Sequence, residues 1–233
     1  MNKWLKTILI LVGAAILTRF IPMSYLFRTM DTMIHEFAHA LVTLLSSGRV
    51  LSIELNADHS GVTYSTMTTI WSAVLTGLAG YILASFSAVL LFYWMYKRRQ
   101  KWGLVLLTSI ALLMIIFFVH HGYGVIWLVG FIIMNIIMLY LPPLIRNMYY
   151  GLLAFLTLEE SVMGPAFLVM NSLLGKSAGD ASNLARWTPV PTVLWALLFL
   201  AVALGCARIS LYFFFRSWTK KDERVNRNTH IEL

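Results

Sequence analysis

Three residues with the chemistry to hold and use a metal stand within five positions of one another: His35, Glu36 and His39, in the run DTMIHEFAHALVTLLSSG at residues 31–48. On a helix, positions i and i+4 share a face, so both imidazoles can reach one zinc ion while Glu36 addresses a water bound to that metal. Zinc lowers the pKa of such a water toward about 7, and a neighbouring carboxylate can take its proton and pass it to a leaving amine. A shuffled chain of this composition would contain His-Glu-x-x-His roughly 0.004 times, so chance explains it poorly. Membrane bundles also use polar side chains as packing bonds, but ionisable groups inside an apolar segment mark a functional site by default.

A hydrolytic zinc site has three protein ligands and an open position. Candidates for the third are Asp31, Glu54, Asp58, His59, His120, His121, Glu159, Glu160 and Asp180. Asp31 precedes His35 by one turn and suits a helix start or an outer partner of a ligand. Asp58 and His59 fall in the turn-like NADHSG, and His120 and His121 between two apolar runs, so both pairs read as exposed. Glu159 and Glu160, in LLAFLTLEESVMGP, must face protein or water. Asp180 opens GDASNLARWTPVPTVLWALLF, where it suits a ligand or a helix cap. Cys206 is the one cysteine, which excludes an intrachain disulfide and a multi-cysteine metal site.

The elements that must position these groups belong to a membrane protein. Of 233 residues, 59% are hydrophobic and 12% charged, against about 25% charged in soluble domains. Residues 59–96, 102–145 and 187–207 contain no Lys, Arg, Asp or Glu, and about 20 apolar residues cross a bilayer. Apolar segments near 7–24, 28–48, 69–96, 102–119, 123–145, 149–174 and 187–215 predict an all-α helical bundle of six or seven spans in one domain, 1–215, followed by a basic tail, 216–233. MNKWLKTILILVGAAIL has the form of a secretory signal, but Arg19 and Phe20 follow it, which favours an uncleaved first span. The net charge of +8 gathers in KRRQK (97–101) and RSWTKKDERVNR (216–227). Such juxtamembrane clusters predict a multi-pass protein of the cell membrane with a cytoplasmic tail, and no nucleic-acid partner.

Helical periodicity breaks at RVLSIELNADHSGVTYS, 49–65, where partial alternation, a turn and a second β-prone run predict a β-hairpin at the membrane edge. Its open edge, at Ser60, Gly61, Val62 and Thr63, suits an extended substrate segment added as a further strand. Asn147, in RNMYYG, is a candidate for orienting a substrate carbonyl. Gly164-Pro165, Pro189 and Pro191 are expected to bend or end helices near the metal region. Trp71, Trp94, Trp102, Trp127, Trp187 and Trp218 read as interfacial anchors.

Residues 31 to about 200 resemble the bacterial branch of site-2-protease-like intramembrane zinc metallopeptidases, through HEFAHALVTLLSSGRVLSIELNADHSGVTYS, RNMYYG and GDASNLARWTPVPTVLWALLF in that order. The resemblance implies that His35, His39 and Asp180 are zinc ligands, that Glu36 is the general base, and that a membrane-embedded hairpin presents the substrate. Asp180 lies in a small-Asp-Ala element; the Asn-Pro-x-x-Asp-Gly type of signature is absent, with Ala181 where that signature has Gly. The expected activity is zinc-dependent hydrolysis of membrane-anchored proteins within or near the bilayer. A metal-cation transporter and a non-catalytic scaffold that binds membrane segments are the alternatives. Neither needs a carboxylate that is not a ligand between the two histidines.

Overall fold

The computed structural model describes residues 24–229, so the expected first span, apart from its last residue, lies outside the described residues. The chain forms α1 (Ser24–Leu45), a hairpin of β1 (Arg49–Leu55) and β2 (Gly61–Thr66), then α2 (Ile70–Tyr96), α3 (Gln100–Phe117), α4 (Tyr123–Tyr140), α5 (Pro143–Leu173), the short α6 (Gly179–Trp187) and α7 (Thr192–Thr229). Among the described residues, α2, α3, α4, α5 and the first part of α7 are long and apolar enough to cross a membrane. The all-α bundle with a small hairpin is therefore as expected, and α1 carries the histidines within it.

Two clusters of buried side chains hold the bundle. The larger joins α1 to α5 and α7 through Met33, Leu91, Leu107, Leu153 and Leu211, with Ala40, Ala88, Ala111, Ala154 and Ala207 where helices approach closely. Lipid tails are as apolar as leucine, so close contact between small residues is what holds helices together in a bilayer. The smaller cluster seats α6 against α2, α5 and α7 through Val74, Leu168, Ala181, Leu184 and Phe199.

Buried hydroxyls are satisfied within the bundle. Ser85, Thr108, Thr157 and Ser210 donate to carbonyls four residues back, as polar groups in an apolar helix must. The tyrosines of RNMYYG tie helices together: Tyr149 donates to Asn135 Oδ1 at 3.0 Å, joining α5 to α4, and Tyr150 to the Leu91 carbonyl at 2.8 Å, joining α5 to α2.

The expected breaks divide into two kinds. Pro189 and Pro191 stand in the gap between α6 and α7, whereas α5 runs unbroken through Pro165. Of the tryptophans, Trp71 and Trp102 stand exposed at helix starts, but Trp127 is a correction: it is buried and stacks on Phe131 with centroids 4.8 Å apart. Position at the end of an apolar run does not fix which way a helix turns its side chain.

The hairpin pairs Arg49 with Thr66 and Leu55 with Gly61, with an irregularity between Val50 and Ser52. Its turn is fixed by Asp58, whose Oδ1 accepts from the amide and hydroxyl of Ser60 at 3.0 and 2.6 Å. These bonds hold the Asp58 carboxyl below its ordinary range. His59 adopts a left-handed backbone, with φ of 67°, and its carbonyl accepts from Thr32 at 2.7 Å, docking the turn on α1. On the outer edge of β1, the Ile53 amide donates to the Phe118 carbonyl at 2.9 Å. Among the described residues β2 pairs only with β1, which leaves its other edge open.

Candidate active site

His35 and His39 project from one face of α1 toward α6, where Asp180 lies in the first turn. The two Nε2 atoms are 3.0 Å apart, and each is 3.1 Å from Asp180 Oδ2. Asp180 does not cap its helix; the amide of Ala178 donates instead to Ser182 Oγ at 2.9 Å. Its carboxylate is thereby available to the histidines, 141 and 145 residues away in the chain.

His39 Nδ1 donates to the Thr76 carbonyl at 2.7 Å. That bond places the proton on Nδ1 and turns the Nε2 lone pair toward His35 and Asp180. Lone pairs of three ligand atoms thus converge, an arrangement that favours a cation between them. Donors around a tetrahedral zinc at about 2.05 Å stand about 3.3 Å apart, so the observed spacings fit such an ion. Among the described residues this is the group of three whose geometry suits a metal.

Close approach of α2 makes room for the cluster. A Cβ on Gly80 would stand 2.5 Å from His35 Nε2 and 2.6 Å from His39 Nε2, so only glycine lets the helix pass. The next residue, Tyr81, meets the His35 ring edge-on with centroids 4.5 Å apart.

Glu36 is buried at 6% exposure, on the side of α1 that faces β2. Its Oε2 accepts from the Thr63 hydroxyl at 2.7 Å. A Cβ on Gly61 would come within 2.8 Å of Glu36 Oε1, so this glycine allows the strand to lie directly on the glutamate. Glu36, His39, Thr63 and Asp180 open onto one cavity of about 380 Å³ that extends between β2 and α6, a size suited to a small segment of substrate.

A family model described as Peptidase M50B-like matches residues 7–210. The chain belongs to that family. Membership makes it a membrane peptidase by family, in agreement with the site-2-protease-like resemblance of its sequence. Comparisons with curated proteins and with solved structures return no match.

The other residues singled out by sequence divide between this cavity and the rest of the M50B-like chain. Gly61, Val62 and Thr63 line the cavity, while Ser60 is spent on the hairpin turn. Asn147 stands exposed near the start of α5, outside the cavity lining. Glu159 and Glu160 meet Arg28 of α1, at 3.7 and 2.5 Å. His120, His121 and Glu54 are exposed, and Asp31 is not part of the metal-like group. The sequence reading missed the Thr63 bond to Glu36, the approach of Gly80, and Trp187 as a cavity wall. A glycine at a helix contact and a threonine in a strand carry no signal of their own; only the α6 spacing of Asp180 and Trp187 on one face was readable.

Proposed function

We propose that the chain is a zinc-dependent protease that hydrolyses peptide bonds of membrane-anchored proteins within or beside the bilayer. The observation that carries this reading is the convergence of His35, His39 and Asp180 next to a carboxylate, Glu36, that is not one of the three. His35, His39 and Asp180 would hold the metal. A zinc ion there supplies Lewis acidity, which polarises a carbonyl and acidifies water.

The protein's own groups do the rest. With Oε2 engaged by Thr63, Glu36 receives the proton of the attacking water at Oε1 and delivers it to the leaving amine. The Thr76 carbonyl keeps His39 in one tautomer and orientation. A spanning helix hides its amides in internal bonds, so the segment to be cut must first become extended. The free edge of β2 offers backbone partners to such a segment, beside Glu36. In this reading the substrate is a membrane-anchored protein, the solvent around the bundle is lipid, and the basic tail after Arg216, by its excess of Lys and Arg, lies on the cytoplasmic face.

The test compares metal content and cleavage of a panel of single-span proteins by detergent-purified wild type, Glu36→Gln and His35→Ala. Glu36→Gln keeps stoichiometric zinc and loses cleavage by about 10²–10⁴-fold, the usual size of a general-base effect; His35→Ala loses both. Equal cleavage by wild type and Glu36→Gln would sink the mechanism. Zinc without any cut by wild type would favour a scaffold, and no zinc in either a structural or transport role.

A further inference from the structure

Two spanning helices, α2 and α7, leave the apolar layer side by side at the end of the bundle away from the histidines. Thr76, which meets His39, lies on α2 about 30 Å before Lys97, at 1.5 Å of rise per residue. The two spans close at Tyr96 and Ser217. Phe213 joins them, stacked on Tyr96 with centroids 5.7 Å apart and edge-on to Tyr93 at 5.4 Å.

Two cations are held on this aromatic cluster. Lys97 Nζ lies 5.6 Å from the Tyr93 centroid and 5.7 Å from that of Tyr96. The Arg216 guanidinium lies 5.8 Å from the Tyr96 centroid and 5.7 Å from that of Tyr212, and it donates to the Tyr212 hydroxyl at 2.5 Å. Both side chains are exposed. Among the described residues neither pairs with a carboxylate, since the ion pairs there belong to Arg28 and the two histidines. The turn that carries Lys97 also keeps charge where glycine would fit more easily: Arg98 has a φ of 56°, in the left-handed region on which helices commonly end with glycine.

We propose that Lys97 and Arg216, gathered on Tyr96, bind the headgroup of an anionic phospholipid. A ring face attracts a cation without neutralising it, so both charges remain available to a further partner. Arg216 spends one N–H on Tyr212 and keeps the others, and the ammonium of Lys97 keeps its donors. Two cations placed by one ring suit a phosphodiester, whose free oxygens accept charge-assisted bonds. The pair stands where two spans end, the depth at which headgroups lie. Exposed Tyr212 and Phe215 flank Arg216 and give the lipid's glycerol and upper chains an interfacial surface. Phosphatidylcholine carries its own ammonium beside the phosphate, so a lipid whose negative charge is uncompensated is the better ligand. Bound there, it ties the end of α7 to α2. The proposal needs a chain embedded in a membrane and does not depend on hydrolysis.

The test titrates the full-length protein in neutral detergent with short-chain phosphatidylglycerol or phosphatidylcholine and reads binding by native mass spectrometry. Wild type is expected to favour phosphatidylglycerol; equal affinity for the two lipids, or tighter binding of inorganic phosphate than of either, would overturn the site. Lys97→Gln combined with Arg216→Gln is expected to weaken phosphatidylglycerol binding roughly 30-fold, at about 5-fold for each cation beside an anionic headgroup. Arg49→Gln combined with Lys176→Gln removes the same charge from exposed positions at the other end of the bundle. That control is expected to weaken binding by less than about 2-fold, because charges so far away are screened. Wild-type affinity in the first pair, or an equal loss in the second, overturns the proposal.

Tyr96→Leu keeps every cation and removes the ring on which two of them are held. A loss of about 2- to 5-fold is expected, the weight of an exposed contact between a cation and a ring, and wild-type affinity would show that the ring places nothing. Thermal unfolding in phosphatidylcholine checks that each variant is folded. If the double variant is not, Lys97→Gln alone decides, with a loss of about 5-fold expected and no loss overturning the site.

Discussion

Two groups of ionisable residues reach α1 from distant parts of the chain, and they are resolved in opposite ways. Near its start, Arg28 meets Glu159 and Glu160 of α5, so cation and carboxylates answer one another. Two turns further on, His35 and His39 meet Asp180 with the ligand atoms of all three turned together and a carboxylate, Glu36, alongside. The first group is complete in itself and fits a tie between helices. The second gathers three ligand atoms around one point, an arrangement that suits a cation and so has the form of a site.

The largest expected effect tests whether the second group depends on space as well as on ligands. Gly80→Ala puts a methyl 2.5 Å from His35 Nε2. Overpacking of this kind costs about 1–3 kcal/mol, so metal affinity should fall by roughly 5- to 150-fold, measured by competition with a chromogenic chelator. Gly130→Ala, on α4 with nothing within 4 Å of the added carbon, should leave affinity unchanged. Equal affinities for wild type and Gly80→Ala would show that the cluster does not need the close approach of α2.

The next effect is the converse. Arg28→Ala removes the cation that two carboxylates of α5 meet, and breaking this charge pair should lower stability by about 1–3 kcal/mol, less than the roughly 3–5 kcal/mol of a fully buried pair because Arg28 and Glu160 retain some exposure. Glu160→Gln should cost less, since it removes a charge that Arg28 answered and leaves Glu159 in place. Zinc stoichiometry should stay that of wild type in both variants. A loss of zinc together with stability would mean that the two groups form one unit.

The contrast also explains how far the sequence could be read. Long runs without charge specify spanning helices because hydrocarbon permits little else, and α2 to α5 fall close to the apolar segments. The hairpin was visible because period-2 alternation and NADHSG both break the helical pattern. His35, Glu36 and His39 announce themselves because ligand and base are local to one helix. Asp180 is a different case: residues of the chain alone left nine candidates, and it was singled out by resemblance, since sequence separation says nothing about which helix turns to meet α1. Glu159 and Glu160 looked equally able to ligate until Arg28 was found against them. Trp127 and Trp187 share the position of interfacial anchors along the chain, yet one is core and the other a cavity wall, because helix rotation is decided by neighbours.

The smallest effect links the two groups through the hairpin turn, which docks on α1 between them. The ring of His59 lies 3.2 Å from Thr29 Oγ1, and its carbonyl accepts from Thr32. Burial first, and the positive charge of Arg28 second, hold the His59 imidazole below its ordinary value of 6.5, with Asp58 opposing them. A released turn takes up a proton at higher pH than a docked one, so docking is strongest above 6.5 and weakens as pH falls toward the docked value. Amide exchange across Gly61–Thr66, corrected for the intrinsic pH dependence, should accordingly quicken on acidification. Removing the guanidinium in Arg28→Ala should move the His59 titration upward without restoring it fully, because burial remains. An NMR titration that is unchanged in that variant would mean that Arg28 is screened from the turn, and that the charge tie and the strand over Glu36 act independently.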